Sequence, residues 1–467
     1  MSYPPLESWN LATGKEPSIR VGVVLPEDAL YELEILVPPG PWTLALDDGP
    51  ALPAGPAQLR VCAEGSAVVV HDLLNERDPV SGARLRLAAS APVALERGAG
   101  VKLRGLRIGR GFHWEKHVDL TFCGTLDFRV HNHQLLVANT LPLEQYLAGV
   151  ISAEMSGDCP VEFLKTQCIV ARSWVLARTE DKHFDLGLDR CNDDCCQRYQ
   201  GTNDLTPNVL EAVRATRGQV ITEQNRDHII DANYCKNCGG ITEDPHHVWF
   251  VRKPGQRPTV DAPHSSVAAM FFPLDESRLD EYLEGDWLAT TDVFCSPHVV
   301  PDAELPRYLG KVDEGGGHFR WKVSYTRAEL EALLRRKHFS RTASSQLAPL
   351  GELVDLRVLS RGVSGRASEL EIVYLSSDST EHRARISSEY AIRAVLHEKF
   401  LFSSAFQVRT TRGENGELQQ IDLVGAGWGH GAGLCQIGAL GMALRNHTCE
   451  QILRHYFEPI RIWTCYH

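Results

Sequence analysis

No run of apolar residues in the 467-residue sequence comes near the roughly 18 a membrane helix needs, so no transmembrane segment is read from it. Basic charge is also short: 48 Lys and Arg stand against 60 Asp and Glu, a formal net charge of −12. Nucleic-acid binding is driven by clustered cations that release counterions, so this balance argues against a nucleic-acid partner. The opening stretch, MSYPPLESWNLATGKEPSIRVGVVL, has no basic segment leading into an apolar core, and no secretory signal is read there. Internal repeats and low-complexity segments are missing. Cysteine is present without a pattern: 13 residues, an odd number at irregular spacing, do not describe a disulfide scaffold. What is there is 43% hydrophobic and 23% charged, the composition of a globular protein. The length suits about two to four domains.

Residues 1–115 read as short β-rich runs (SIRVGVVL, ELEILV, AQLRVCA, ARLRLAA) broken by PPGP, DDGP and PAGP turns. They are expected to form a β-rich N-terminal module, with a larger mixed region over 116–467 and an α+β fold class. After LDFRVH and QLLVAN the period changes. In LPLEQYLAGVISAEM, Pro142 suits a first helical position, Glu144 suits the positive end of the helix dipole, and Leu143, Leu147, Val150 and Ile151 form an apolar stripe. Glu154 falls on that stripe. A second helix is expected over PVEFLKTQCIVARSWVLAR, with Leu164, Cys168, Ala171 and Val175 on one face and Arg172 at its margin.

Four stretches bear chemistry. Glu154 is a carboxylate where the pattern wants an apolar residue: it is either a structural acid paired with an arginine such as Arg172, or a general acid whose burial disfavours the ionised form. In HFDLGLDRCNDDCCQRY, His183, Cys191, Cys195 and Cys196 supply four N/S ligands suited to a tetrahedral zinc; a disulfide involving Cys191 and free thiols are the alternatives. In YCKNCGGITEDPHHVW, the Cys235–Cys238 CxxC lacks the βαβ context of a redox site, and His246 and His247 either complete a metal site with it or are hydrogen-bonded surface groups. The glycine-rich GWGHGAGLCQIGALGMA leaves Trp428, His430 and Gln436 as its main aromatic and polar groups. Such a loop either lays amides along a sugar chain, with Trp428 as an apolar face, or is a tight turn around a core Trp; the GxGxxG frame of a dinucleotide site is not there.

In order and wording these stretches resemble the SpoIID/LytB family. LPLEQYLAGVISAEMSGDCPVEFLKTQCIVARSWVLA is similar to its opening motif, CNDDCCQRYQG to its Cys-Gln-x-Tyr-x-Gly segment, NCGGITED to its Cys-Gly-Gly-x-Thr-Glu element, and GWGHGAGLCQIGALGMA with EQILRHYF to its terminal signature. The likeness runs over roughly residues 100–465. It implies a peptidoglycan lytic transglycosylase that cleaves between N-acetylmuramic acid and N-acetylglucosamine of peptide-stripped strands and leaves 1,6-anhydromuramic ends. Glu154 would be the single acid and base, with Arg172, Tyr199, Cys238, Trp428, His430 and Gln436 at the glycan. The resemblance also implies a structural zinc on His183, Cys191, Cys195 and Cys196, although Cys195 stands where zinc-binding members have histidine. It implies glycan strands as partner, an amidase as a possible second one, and a place in the cell envelope. The competing reading from the same family is a non-catalytic amidase enhancer.

Overall fold

A computed structural model of the chain describes residues 14–467 except 76, 113, 178, 180–181, 225–227, 311–317 and 340–347. The first half of the stretch read for an export signal, and Arg178 at the end of the second expected helix, lie outside the described residues. The fold is α+β, and the chain divides into two compact units. The first comprises residues up to Val220 with short returns at Pro306–Glu314 and Trp463–His467; the second comprises Ile221–Leu305 and Gly315–Ile462.

Two sheets build the first unit. One has seven strands in the order Arg190–Cys191, Ser18–Val24, Gln134–Pro142, Thr125–His131, Arg84–Ala89, Trp42–Leu46 and Leu52–Pro53. The other has six, running Lys116–Phe122, Val101–Ile108, Glu32–Val37, Ala57–Glu64, Ala67–Asp72 and Arg77–Gly82. Period-two alternation is visible in ELEILV, where Leu33, Ile35 and Val37 are buried. The expected module boundary at 115 does not coincide with a break in the fold. Ser18–Val24 pairs antiparallel with Gln134–Pro142, Ile19 opposite Leu141, and Arg84–Ala89 pairs with Thr125–His131, Leu85 opposite Phe128. The strands before 115 complete their sheet only with strands after it.

Against these sheets stand α1 (Leu143–Glu154), α2 (Val161–Ala177) and α3 (Pro207–Ala215), which pack on one another. Pro142 ends the preceding strand and stands at the N-cap of α1 rather than inside its first turn. The expected stripe understates α1, since every residue of it except Gln145 is buried. A helix apolar nearly all round is a core helix, and its two glutamates therefore need partners.

In the second unit, Arg320–Thr326, Leu418–Ala426 and Phe406–Arg412 form one three-stranded sheet, and Glu352–Arg361, Ala367–Leu375 and Glu381–Ser387 form another. Both share a core with the helices Arg327–Leu334 and Glu389–Val395, through Trp321, Leu330, Leu370, Ile372, Ile392 and Leu423. A separate part joins Tyr234–Cys235 in parallel to Leu434–Cys435, which leads into the helix Gln436–Leu444. Among the described residues no helix is long and apolar enough to cross a membrane.

Candidate functional site

The first unit builds its chemistry on α1. Glu144, in the first turn, is saturated: Arg172 of α2 donates to it from Nε at 3.0 Å and Nη2 at 2.6 Å, Gly218 donates its amide at 3.1 Å, and Tyr466 its hydroxyl at 2.5 Å. Arg172 has no exposed surface; burial works against its charge, but Glu144 and Tyr466 hold the guanidinium above its ordinary value. Arg172, expected at the glycan or on Glu154, is instead the counter-ion of the other glutamate.

Glu154 is the last residue of α1. Met155 turns to extended backbone while its amide still closes on the Ile151 carbonyl at 3.2 Å, so the carboxyl group is held where the helix stops. It keeps 6% of its surface exposed, and Oε1 accepts the backbone amide of Arg198 at 3.3 Å. The acids nearest to it in sequence point elsewhere: Glu162 pairs with Lys165 at 2.8 Å, and Asp158, exposed, lies 3.7 Å from Arg307.

Residues 191–199, which put that amide on Glu154, are anchored along their length. Asp193 accepts the amides of Gly109 at 3.1 Å and Arg110 at 2.8 Å. Asp194 accepts Trp114 Nε1 at 2.8 Å and pairs with the Arg198 guanidinium, which lies over the Trp114 ring at 4.6 Å. Gln197 accepts the Tyr146 hydroxyl of α1 at 3.1 Å. Tyr199, expected to line a cleft, is 1% exposed; it donates to Asn139 at 2.7 Å and packs on Tyr146 with ring centroids 5.1 Å apart.

The same segment begins in the Cys/His cluster. One ligand atom each from His183, Cys191, Cys195 and Cys196 lie within 4.8 Å of one another. Cys191 Sγ is 2.9 Å from Cys195 Sγ, well beyond a disulfide bond of about 2.05 Å, and Cys195 Sγ is 3.6 Å from His183 Nε2. Cys191 is buried against Leu25, Leu136, Ala138 and Leu188. The Cys196 thiol is driven well below its usual range by hydrogen bonds from Cys191 and Cys195, with a further one from His183. Three sulfurs and an imidazole, one sulfur already favouring the thiolate, fit a tetrahedral soft-metal site with no position left open.

The second unit holds the other expected residues. The NCGGITED and GWGHGAG stretches interlock: Asn237 and Trp428 exchange amide–carbonyl bonds of 3.0 and 2.7 Å, and the Glu243 amide donates to the Gly431 carbonyl at 2.9 Å. Gly431 and Gly433 both have positive φ, and a Cβ on them would meet the Arg366 guanidinium at 2.2 Å and the Asn233 carbonyl at 2.1 Å. The glycines are thus required by this protein's own chain. Trp428 is stacked between His318 and Phe402, centroids 4.6 and 4.7 Å away, so the core-Trp reading describes it and it offers no open face to a sugar. Gln436 is 1% exposed at the start of its helix, and Cys238 is 2% exposed. His430 is half-buried against Trp249 at 4.8 Å, and burial, then Arg393, Arg366 and Lys253, push it down to about 3. His247 sits 3.5 Å from Glu243, and with His246, Asp244, Arg252 and Lys253 it lines a groove of about 830 Å³. Neither histidine joins the CxxC.

Sequence reasoning missed the Glu144–Arg172 pairing, the Asp194–Arg198 anchor, and a second buried cluster around Cys238. Cys295 and Asp261, which belong to that cluster, carry no local motif.

Fold and site define an α+β protein whose buried helix-terminal glutamate is held by a loop that starts in a Cys₃His cluster. The comparisons make this particular: residues 131–222 match the family model described as stage II sporulation protein, and residues 302–433 match a domain of unknown function. The chain is similar to an uncharacterised protein of Brachyspira hyodysenteriae, at 24% identity over 343 residues covering 73% of this chain and 72% of the relative. It is similar to the amidase enhancer of Bacillus subtilis, at 23% identity over 67% of this chain but only 39% of that protein. It is also similar to stage II sporulation protein D of Bacillus subtilis, at 20% identity, covering 69% of this chain and 74% of the relative. Residues 131–222 thus carry a SpoIID domain, the family that the motifs resemble.

Proposed function

We propose that this chain is a peptidoglycan lytic transglycosylase with Glu154 as its only general acid and base. The observation that carries the reading is the place of Glu154 in the matched region: it ends the buried helix α1 with its carboxyl group on the Arg198 amide, while Arg172 of α2 is taken by Glu144. Protonated Glu154 gives its proton to the glycosidic oxygen as the muramoyl C1–O bond breaks. The resulting carboxylate takes the proton of the muramoyl 6-hydroxyl as that oxygen bonds to C1. The products are an anhydro end and a free N-acetylglucosamine 4-hydroxyl. No water is consumed, so no second carboxylate is needed to activate one. The substrate would be peptide-stripped strands in the cell envelope.

His183, Cys191, Cys195 and Cys196 would hold zinc as a structural cross-link, and the ion would neutralise the thiolates of a closed site. The residues of this chain then fix the loop that presents the Arg198 amide to Glu154. Arg172 acts as a positioning residue for α1 through Glu144.

The relative named amidase enhancer favours a second reading, a glycan-binding protein that recruits or stimulates an amidase. Digestion of peptide-stripped peptidoglycan by wild type and Glu154→Gln, with mass analysis of the ends, distinguishes them. Anhydro ends from wild type, reduced about a hundredfold or more in the variant, are expected. Reducing ends would identify a hydrolase, and cleavage by neither protein would support the enhancer.

A further inference from the structure

The second unit contains a cluster that the transglycosylase reading does not use. Cys238, Asp261, Cys295 and Cys435 each place one ligand atom within 4.8 Å of the others, and all four residues are buried. We infer that they form a second, structural metal site, with three thiolates and one carboxylate taking zinc.

The geometry matches the ion. Cys238 Sγ is 3.7 Å from Cys295 Sγ and 3.3 Å from Asp261 Oδ2. A tetrahedral zinc with sulfur at about 2.3 Å and oxygen at about 2.1 Å has edges of roughly 3.8 and 3.6 Å. At 3.7 Å the sulfurs are not bonded to each other, since a disulfide holds them at about 2.05 Å.

Backbone amides are aimed at two of the sulfurs. Cys435 Sγ accepts the amides of Cys238 at 3.2 Å and Gly438 at 3.3 Å, and Cys238 Sγ accepts the amide of Gly240 at 3.4 Å. Amides aimed at sulfur stabilise its charged form and orient it as a ligand. Asp261 is oriented in the same way: the Tyr456 hydroxyl donates to Oδ1 at 2.6 Å, leaving Oδ2 toward the sulfurs. Gly438 gives this corner its room, since a Cβ there would meet Asp261 Oδ2 at 2.3 Å.

The ligands come from four separate stretches of the second unit, so the ion would tie the Cys-Gly-Gly turn to the start of the helix Gln436–Leu444. Four protein ligands leave no site for water, and the role is structural. This also gives Cys238 a task, as a ligand and not a glycan contact.

Zinc content of the full chain, purified under reducing conditions, tests the proposal with Cys195→Ser and Cys295→Ser as variants. Two zinc ions per chain in wild type and one in each variant are expected. Cys295→Ser with the same zinc content as wild type overturns the site, as does a disulfide joining Cys238 to Cys295 or Cys235 to Cys435. Should Cys295→Ser fail to fold, cobalt(II) titration of metal-free wild type and Cys195→Ser decides. Thiolate–cobalt absorption that persists in Cys195→Ser supports the site, and its absence from Cys195→Ser overturns it.

Discussion

Glu144 and Glu154 share a helix and lie about 80° apart around it, at a turn of roughly 100° per residue. Which of them Arg172 of α2 reaches depends on how α1 and α2 cross, which no spacing records; that is why the sequence left the Arg172 partner open. The structure gives Arg172 to Glu144 with both charges buried, and removing one partner of such a pair typically costs about 3–5 kcal/mol. Arg172→Ala is therefore expected to lower stability by that amount in denaturant unfolding, with Arg172→Lys less damaging because the charge survives without the two-pronged contact. A variant of unchanged stability but raised KM would instead make Arg172 a glycan ligand. Glu154 itself was legible, because a carboxylate on an apolar stripe is a local anomaly. The Arg198 amide that holds it was not, since a backbone donor leaves no trace in side-chain pattern.

At the scale of elements, periodicity was enough for α1 and α2, whose apolar faces are nearly continuous, and for strands with clean alternation. It misread Pro142 by one position, because the strand before α1 runs directly into it. The glycine-rich terminal loop shows the limit most clearly: its composition suits contact with a sugar or with the protein's own backbone, and only the interlock with Asn233–Glu243 decides. A glycine inside α1 is similarly committed. A Cβ on Gly149 would meet the Tyr199 ring at 2.6 Å and the Gly201 carbonyl at 2.8 Å. Gly149→Ala should therefore cost about 1–3 kcal/mol by overpacking. Because Tyr199 directly follows Arg198 in the segment that presents its amide, glycan cleavage should fall further than stability alone explains. Equal activity per folded molecule in Gly149→Ala would show that Glu154 does not depend on that packing.

The whole chain carries two units, and a two-unit protein need not unfold in one step. His430 makes the second unit's stability respond to pH. Its Nδ1 accepts the Ala432 amide at 3.1 Å, so a proton there would face an N–H, and burial with Arg393, Arg366 and Lys253 pushes the imidazole down to about 3. The unfolded chain takes up this proton near its ordinary value of 6.5, and the folded chain refuses it until about 3. Stability from His430 is thus fully present above the unfolded value and is lost as pH falls through the window between the two. His247, raised by its hydrogen bond to Glu243, works in the opposite direction, which makes the comparison with a His430 variant the informative one. Between about pH 7.5 and 5.5, above the range where most carboxylates protonate, wild type should lose about 1 kcal/mol more than His430→Asn. Calorimetry should place that loss in one transition, the one that Arg172→Ala leaves unmoved. An equal shift of every transition, or the same pH response in wild type and His430→Asn, would mean that the imidazole is protonated in the folded protein and that the buried contact with Ala432 does not exclude the proton.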